Sequence, residues 1–339
     1  MAVDTATLAN IVVPAWVWAA FLGGVLSVLA LDLGVFNRKA HVVSAKEAAI
    51  WTAVWVSLGL AFAGIIFAWQ GSQKGFEWLT GYVVEYSLAV DNIFVFVLVF
   101  GYFKVPAQYR HRVLFWGILG ALVMRGAMIF LGAALIKEFH WILLVFGAFL
   151  LFTGFKMLLE KDEKEHVDLE MNPAIKLAKR FLKVSPNYDG QKFFTVENGL
   201  KVATPLFLVL VFIEFTDLVF AVDSIPAIFA ITTDPFIVFT SNIMAILGLR
   251  SLYFLLADIV DRFIYLKKGL AIILAFVGVK MLLPDVSLWL TGVSIKIPTY
   301  ISLAVILSIL AISVIASLIV TANRPAKLEI DEHGLHVKE

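Results

Sequence analysis

The sequence predicts an all-α, polytopic membrane helix bundle built around two inverted three-helix repeats. Three observations predict it. Of the 339 residues 61% are apolar and only 16% are charged, against about 45–50% and about 25% in ordinary soluble domains. About nine apolar stretches, one of them short, read as crossings of roughly 30 Å of hydrocarbon. Two of the middle stretches carry matching acidic motifs. A net charge of +1 without a basic domain excludes a nucleic-acid binder, and the absence of cysteine excludes disulfides, thiolate nucleophiles and iron–sulfur sites.

In chain order the stretches cover about 13–36, 48–69, 77–103, 113–136, 139–159, 202–231, 236–257, 268–283 and 298–321. The eighth is short and the sixth long. Met1–Asn10 has no basic region, so no cleavable signal is expected. Alternate connections carry 20 Lys/Arg on one side and 3 on the other, which puts the N-terminus outside and the C-terminus in the cytoplasm. The expected layout is two N-terminal helices (1–76), a first repeat (77–160), a cytoplasmic loop (161–201), a second, inverted repeat (202–283), and a last helix with a cytoplasmic tail (284–339). In the loop, Asn172-Pro173 resembles a cap and first-turn proline. Behind it Ile175, Ala178 and Leu182 share a face ringed by Lys176, Lys179, Arg180 and Lys183. That pattern suits either a helix lying on an anionic leaflet or a basic loop that only fixes topology. Phe193–Val196 and Leu200–Ala203 flank Glu197-Asn198-Gly199, a hairpin signal.

The repeat is read from Glu85-Tyr86-Ser87-Leu88-Ala89-Val90-Asp91-Asn92 and Asp217-Leu218-Val219-Phe220-Ala221-Val222-Asp223-Ser224. Each puts a carboxylate six residues before an Ala-Val-Asp. An arginine follows in the next stretch of each, Arg125 and Arg250. Both units close on near-identical ends, Gly154-Phe155-Lys156-Met157 and Gly278-Val279-Lys280-Met281. Three crossings per unit invert the second, which is the architecture of many secondary transporters with a site near the midplane. A duplication in a non-transporting membrane protein is the other reading.

Glu85, Asp91, Glu214, Asp217 and Asp223 lie within the spans. Isolated, five such charges would cost on the order of 10–15 kcal/mol. Arg125 and Arg250 cannot neutralise all five. The surplus suits a divalent cation and protons, although acid–arginine pairs that only lock spans together are also expected. Residues six apart point about 120° apart on a helix, so Asp91 and Asp223, one from each half, are the better pair of ligands. Asn92 and Ser224 add neighbouring oxygens. Pro226 frees the carbonyl of Val222, either as a local unwinding that supplies a ligand or as a plain kink. Oxygen donors without cysteine favour Mn²⁺, Mg²⁺ or Ca²⁺. Met124, Met128 and Met244 are either packing residues or a thioether bias toward Mn²⁺. His333 and His336 in the tail are either a metal site or a frayed end.

These segments, with Leu31-Asp32-Leu33-Gly34-Val35-Phe36-Asn37-Arg38, Gly147–Gly154 and Ala203-Thr204-Pro205, resemble the TerC family and its Alx branch from about Ala30 to Leu283. The resemblance implies a bacterial cytoplasmic-membrane exporter of Mn²⁺ in a family named for tellurium resistance, with the two acidic segments as the ion path. The resulting expectation is a secondary transporter, not an enzyme, that moves Mn²⁺ out and H⁺ in. Its partners are a divalent cation, protons and the bilayer; it has no resident cofactor, and Mn²⁺ is the cargo. Transport of Ca²⁺ or another hard divalent cation is the alternative, as is an accessory role in metal loading or tellurium resistance. Paired aspartates can also cut peptides, but neither segment reads Gly-x-Gly-Asp.

Overall fold

The computed structural model describes residues 13–31, 43–139, 141–159, 175–176, 180, 182–197, 199–257, 259–322, 328–331 and 334–337. Most of the loop expected to carry the surface helix, the Asp32–Arg38 motif and His333 lie outside the described residues. The described chain is nearly all helix: α1 (Ala15–Leu31), α2 (Ala45–Tyr102), α3 (Ala107–Glu138), α4 (Ile142–Leu159), α5 (Pro205–Phe229), α6 (Pro235–Leu247), α7 (Leu249–Leu256), α8 (Leu266–Thr291) and α9 (Thr299–Ala322). Among the described residues seven helical segments, with α6 and α7 counted as one, are long and apolar enough to cross a membrane. Large apolar side chains such as Leu26, Ile65, Val123, Phe152 and Ile315 stay exposed along them. A multi-pass membrane protein presents such an outer face to lipid.

Helix α2 has 58 residues, about 87 Å if straight and nearly three times the hydrocarbon thickness. It is not straight. Ser44 caps its start by accepting from the Glu47 amide at 3.2 Å, half of a capping box. At Gly71 the backbone takes φ 87° and ψ 174°, outside the helical region and accessible to glycine because it lacks a Cβ. Beyond it the chain doubles back. The Phe62 and Trp78 rings lie 5.4 Å apart and those of Phe67 and Phe76 5.1 Å apart, whereas sixteen residues of straight helix would separate the first pair by about 24 Å. The stretches at 48–69 and 77–103 are thus the two legs of one broken helix, 45–70 and 72–102.

The second leg of α2 runs antiparallel to α5. Thr232 meets Glu77, Ile228 meets Gly81, and Ser224 lies beside Glu85. The α6–α7 segment is the most enclosed, with 94% of its apolar window buried. Helix α8 continues through Pro284 to Thr291, so the eighth stretch is longer than its apolar run suggested. A proline inside a helix removes one hydrogen bond without forcing an end.

Helix α4 packs along α8 more extensively than any other pair. A Cβ on Gly154 would lie 2.7 Å from both the Ala271 carbonyl oxygen and the Ala275 nitrogen. One on Gly278 would lie 2.8 Å from the Leu151 nitrogen and 2.9 Å from the Gly147 oxygen. Adding 124 to residues 147, 151 and 154 gives 271, 275 and 278, so the two helices make the same contact on each other. Such self-complementarity is the mark of a two-fold contact.

On the side of the 160–201 connection, β1 (Phe194–Glu197) and β2 (Leu200–Ala203) form the hairpin expected from the sequence, with Gly199 at φ 76° in its turn. Hydrogen bonds from Lys192 (3.0 Å) and Thr195 (2.8 Å) hold the Asp189 carboxyl below its usual range. Burial pushes Tyr188 up to about 12, and its hydroxyl donates to the Phe103 carbonyl at 2.7 Å. Ile175 is 1% exposed among the Phe100, Val113 and Leu114 side chains. This member of the expected membrane-facing stripe docks on the protein instead. The tail forms a second hairpin, β3 (Leu328–Asp331) with β4 (Gly334–Val337).

Candidate functional site

The centre of the bundle holds a guanidinium clamped by two carboxylates. Arg125 comes from α3, Glu85 from the second leg of α2 and Asp217 from α5; they are 2%, 0% and 4% exposed. Arg125 donates to Asp217 in a bidentate fork, Nε to Oδ2 at 3.1 Å and Nη2 to Oδ1 at 2.8 Å. Its Nη1 donates to Glu85 Oε1, with Ser224 Oγ at 3.3 Å and Asn242 Oδ1 at 3.4 Å. Asn242 Nδ2 donates to the other Glu85 oxygen at 2.9 Å. The planar fork of arginine suits such bidentate recognition, and in a site closed to water every polar atom needs this kind of partner. The two residues that the repeat makes equivalent, Glu85 and Asp217, therefore meet on a single cation.

The clamp carries one positive and two negative charges. Three carboxylates are left over. Asp91 is within electrostatic reach of Asp223 and of Lys267. Asp223 is hydrogen-bonded by Thr153 and lies within reach of Lys156, both from α4. Glu214 rests its carboxylate on Gly120 of α3, where any Cβ would collide with it. Its Oε2 is buried without a hydrogen-bond partner among the described residues, and Asp217 is its charged neighbour. Arg250, 6% exposed, lines with Asp217, Gly117, Ile118, Ala121 and Ile213 a cavity of ≈ 10 Å³, about the size that holds one water.

Several expectations change in detail. Glu85 and Asp217 are engaged by Arg125 and do not stand open as ligands. Ser224 faces Arg125 rather than extending the oxygen set of Asp223, because neighbours on a helix point about 100° apart. Asn92 is buried beside Asp91. Helix α5 continues past Pro226 to Phe229, so the helix is not unwound there. Met244 and Met128 pack in the apolar core. Among the described residues no three or more of His, Asp and Glu converge closely enough to hold a metal ion; in this conformation the acidic residues sit in separate groups. Asn242 was not singled out from the sequence. Its signal was an amide inside an apolar span, in Thr240-Ser241-Asn242, with glycine at the position eight residues before the other repeat's arginine.

Comparison with known proteins gives consistent matches. Residues 70–325 match the family described as "Integral membrane protein TerC family". The chain is 52% identical over 308 residues to "Uncharacterized membrane protein STKORF319" of Myxococcus xanthus, covering 91% of this chain and 93% of that one. It is 47% identical over 307 residues to "Putative membrane-bound redox modulator Alx" of Escherichia coli K12, covering 88% and 92%. The protein of the same name in Salmonella typhi is 46% identical over 320 residues, covering 92% and 96%. No solved structure matches.

Proposed function

The chain belongs to the TerC family of integral membrane proteins, and on that premise we propose that it is a secondary transporter exporting a divalent cation, Mn²⁺ first, from the cytoplasm in exchange for protons. The proposal includes nine crossings of the bacterial inner membrane, the N-terminus outside and the C-terminus in the cytoplasm. The doubling back of α2 at Gly71 supports that count. The reciprocal glycine contacts of α4 and α8 support an inverted repeat, as does the meeting of Glu85 and Asp217 on one arginine.

One observation carries the functional reading: of five carboxylates within the spans Arg125 holds two, and Asp91, Asp223 and Glu214 stand outside that clamp, partly buried. A charge at the middle of a span costs roughly 2.5–3.5 kcal/mol even on mild scales, so these three call for a cation or protons. Asp91 and Asp223, one from each half and coupled to each other, are the proposed ligands. Loading the site requires that they approach and that bound protons leave, since metal ligands must be deprotonated. Glu214, without a partner on Oε2, is the proposed proton carrier. Oxygen donors favour Mn²⁺, Mg²⁺ and Ca²⁺ as a class. Redox modulation through thiols is closed to a chain with no cysteine.

The test is metal uptake into inside-out vesicles with a set proton gradient, with Mn²⁺ and Ca²⁺ in competition. Accumulation of Mn²⁺ that collapses with the gradient supports the reading. No flux of either ion would leave the accessory role in metal loading.

A further inference from the structure

A second polar cluster lies about two turns from the central clamp, where the second leg of α2 starts. Glu77 is 7% exposed. Its Oε2 accepts from Lys74 Nζ at 3.1 Å and from Thr232 Oγ1 at 2.6 Å; its Oε1 accepts from Gln73 Nε2 at 3.3 Å. Lys74 also reaches Asp234 Oδ2 at 3.1 Å. Asp234 caps α6 by accepting from the Phe236 and Ile237 amides, and its own amide donates to Thr232 Oγ1 at 3.3 Å. One lysine thus ties the break at Gly71 to the α5–α6 turn. In the proposed topology these are two outer connections, one entering the first repeat and one inside the second.

Lys280 of α8 bears on the same cluster. It is 9% exposed, and its Nζ is buried with no hydrogen-bond partner among the described residues. Glu77 is the carboxylate it feels. An ammonium buried without a partner is costly, and so is a buried carboxylate that loses one. The repeat supplies a precedent, since Lys156 holds the equivalent position in α4 and lies within reach of Asp223.

We propose that Lys74, Glu77 and Asp234 form the latch of the outer gate, and that Lys280 takes over Glu77 when Lys74 releases it. The described conformation is the latched one. Opening by separation of the α5–α6 turn from the Gly71 bend would strip Lys74 from one or both acids and leave Glu77 buried. Transfer to Lys280 keeps a cation on that carboxylate and gives the idle ammonium a partner. Two lysines sharing one glutamate then give a gate with two paired states. The transporter reading supplies the reason for a gate, so the inference rests on it.

The absence of cysteine makes a direct test available. Thr80 is fully buried one turn beyond Glu77, and Thr80→Cys introduces a single thiol. Its labelling by a membrane-impermeant maleimide added outside is measured in vesicles, beside Mn²⁺ flux. Lys74→Ala should raise the labelling rate at least fivefold by unlatching the gate. Lys280→Met should lower the rate and cut flux at least tenfold, and Lys280→Arg should restore both. Labelling that ignores Lys74→Ala, or that is the same with Lys, Met and Arg at 280, overturns the inference. Labelling that follows the latch in vesicles without Mn²⁺ flux upholds the gate and defeats the transport reading instead. If Thr80→Cys alone perturbs folding, Ser87→Cys, farther along the same leg, gives the same readout.

Discussion

Replacing Arg125 with methionine removes a cation that two buried carboxylates share. Removing one partner of a buried ion pair typically costs about 3–5 kcal/mol, because the other charge stays buried and unpaired. Here Glu85 and Asp217 are both stripped, at 0% and 4% exposure. Asn242 still donates to Glu85 at 2.9 Å, but Asp217 loses a bidentate fork. The expected loss is therefore at the upper end, about 5 kcal/mol at pH 7. The assay is reversible unfolding in mixed micelles, comparing wild type, Arg125→Met, and Arg125→Met with Glu85→Gln and Asp217→Asn. Residues in one network couple strongly, so the neutralised triple variant should recover at least half of the loss. A loss under 1 kcal/mol, or a triple variant no more stable than the single one, would refute the clamp as a buried charge-balanced unit.

Other consequences concern the surrounding residues. Asp91→Asn and Asp223→Asn should each abolish Mn²⁺ export in manganese-loaded cells while inserting normally, since one fewer buried charge eases entry into lipid; export by both variants would put the ion path elsewhere. Glu214→Gln should uncouple flux from the proton gradient in liposomes, and unchanged coupling would remove it as the proton carrier. Gly120→Val should push the Glu214 carboxylate off α3 and cost about 1–3 kcal/mol in the micelle unfolding assay, the range for overpacking. Gly154→Leu and Gly278→Leu should be similarly harmful to each other's helix contact, and a large difference between them would speak against the two-fold relation of α4 and α8.

The sequence carried the polytopic helical character because bilayer thickness is a one-dimensional signal. Apolar runs mark the helices, and a six-residue acid spacing survives as a string. What it did not carry depends on direction. Ser224 follows Asp223 in the string but faces Arg125 in the fold, and Glu85 and Asp217 were readable as ligands until a guanidinium was found between them. Helix α5 continues past Pro226 and α8 past Pro284, because an internal proline removes one hydrogen bond without fixing where the helix ends. The Lys74–Asp234 bond joins residues 160 apart in sequence, and no period or motif links them. Gly71 lies in a polar connection, where a glycine carries no distinctive signal; the helix on either side of it is what marks the break.

The central claim is that the carboxylates outside the Arg125 clamp carry a divalent cation against protons. Purified protein in liposomes loaded with a Mn²⁺-sensitive dye tests it most directly. With a lumen made acidic, wild type should move Mn²⁺ in and alkalinise the lumen in step, while Asp91→Asn/Asp223→Asn protein in the same membranes should do neither. Mn²⁺ flux that is absent in wild type, indifferent to the gradient, or intact in the double variant would contradict the account.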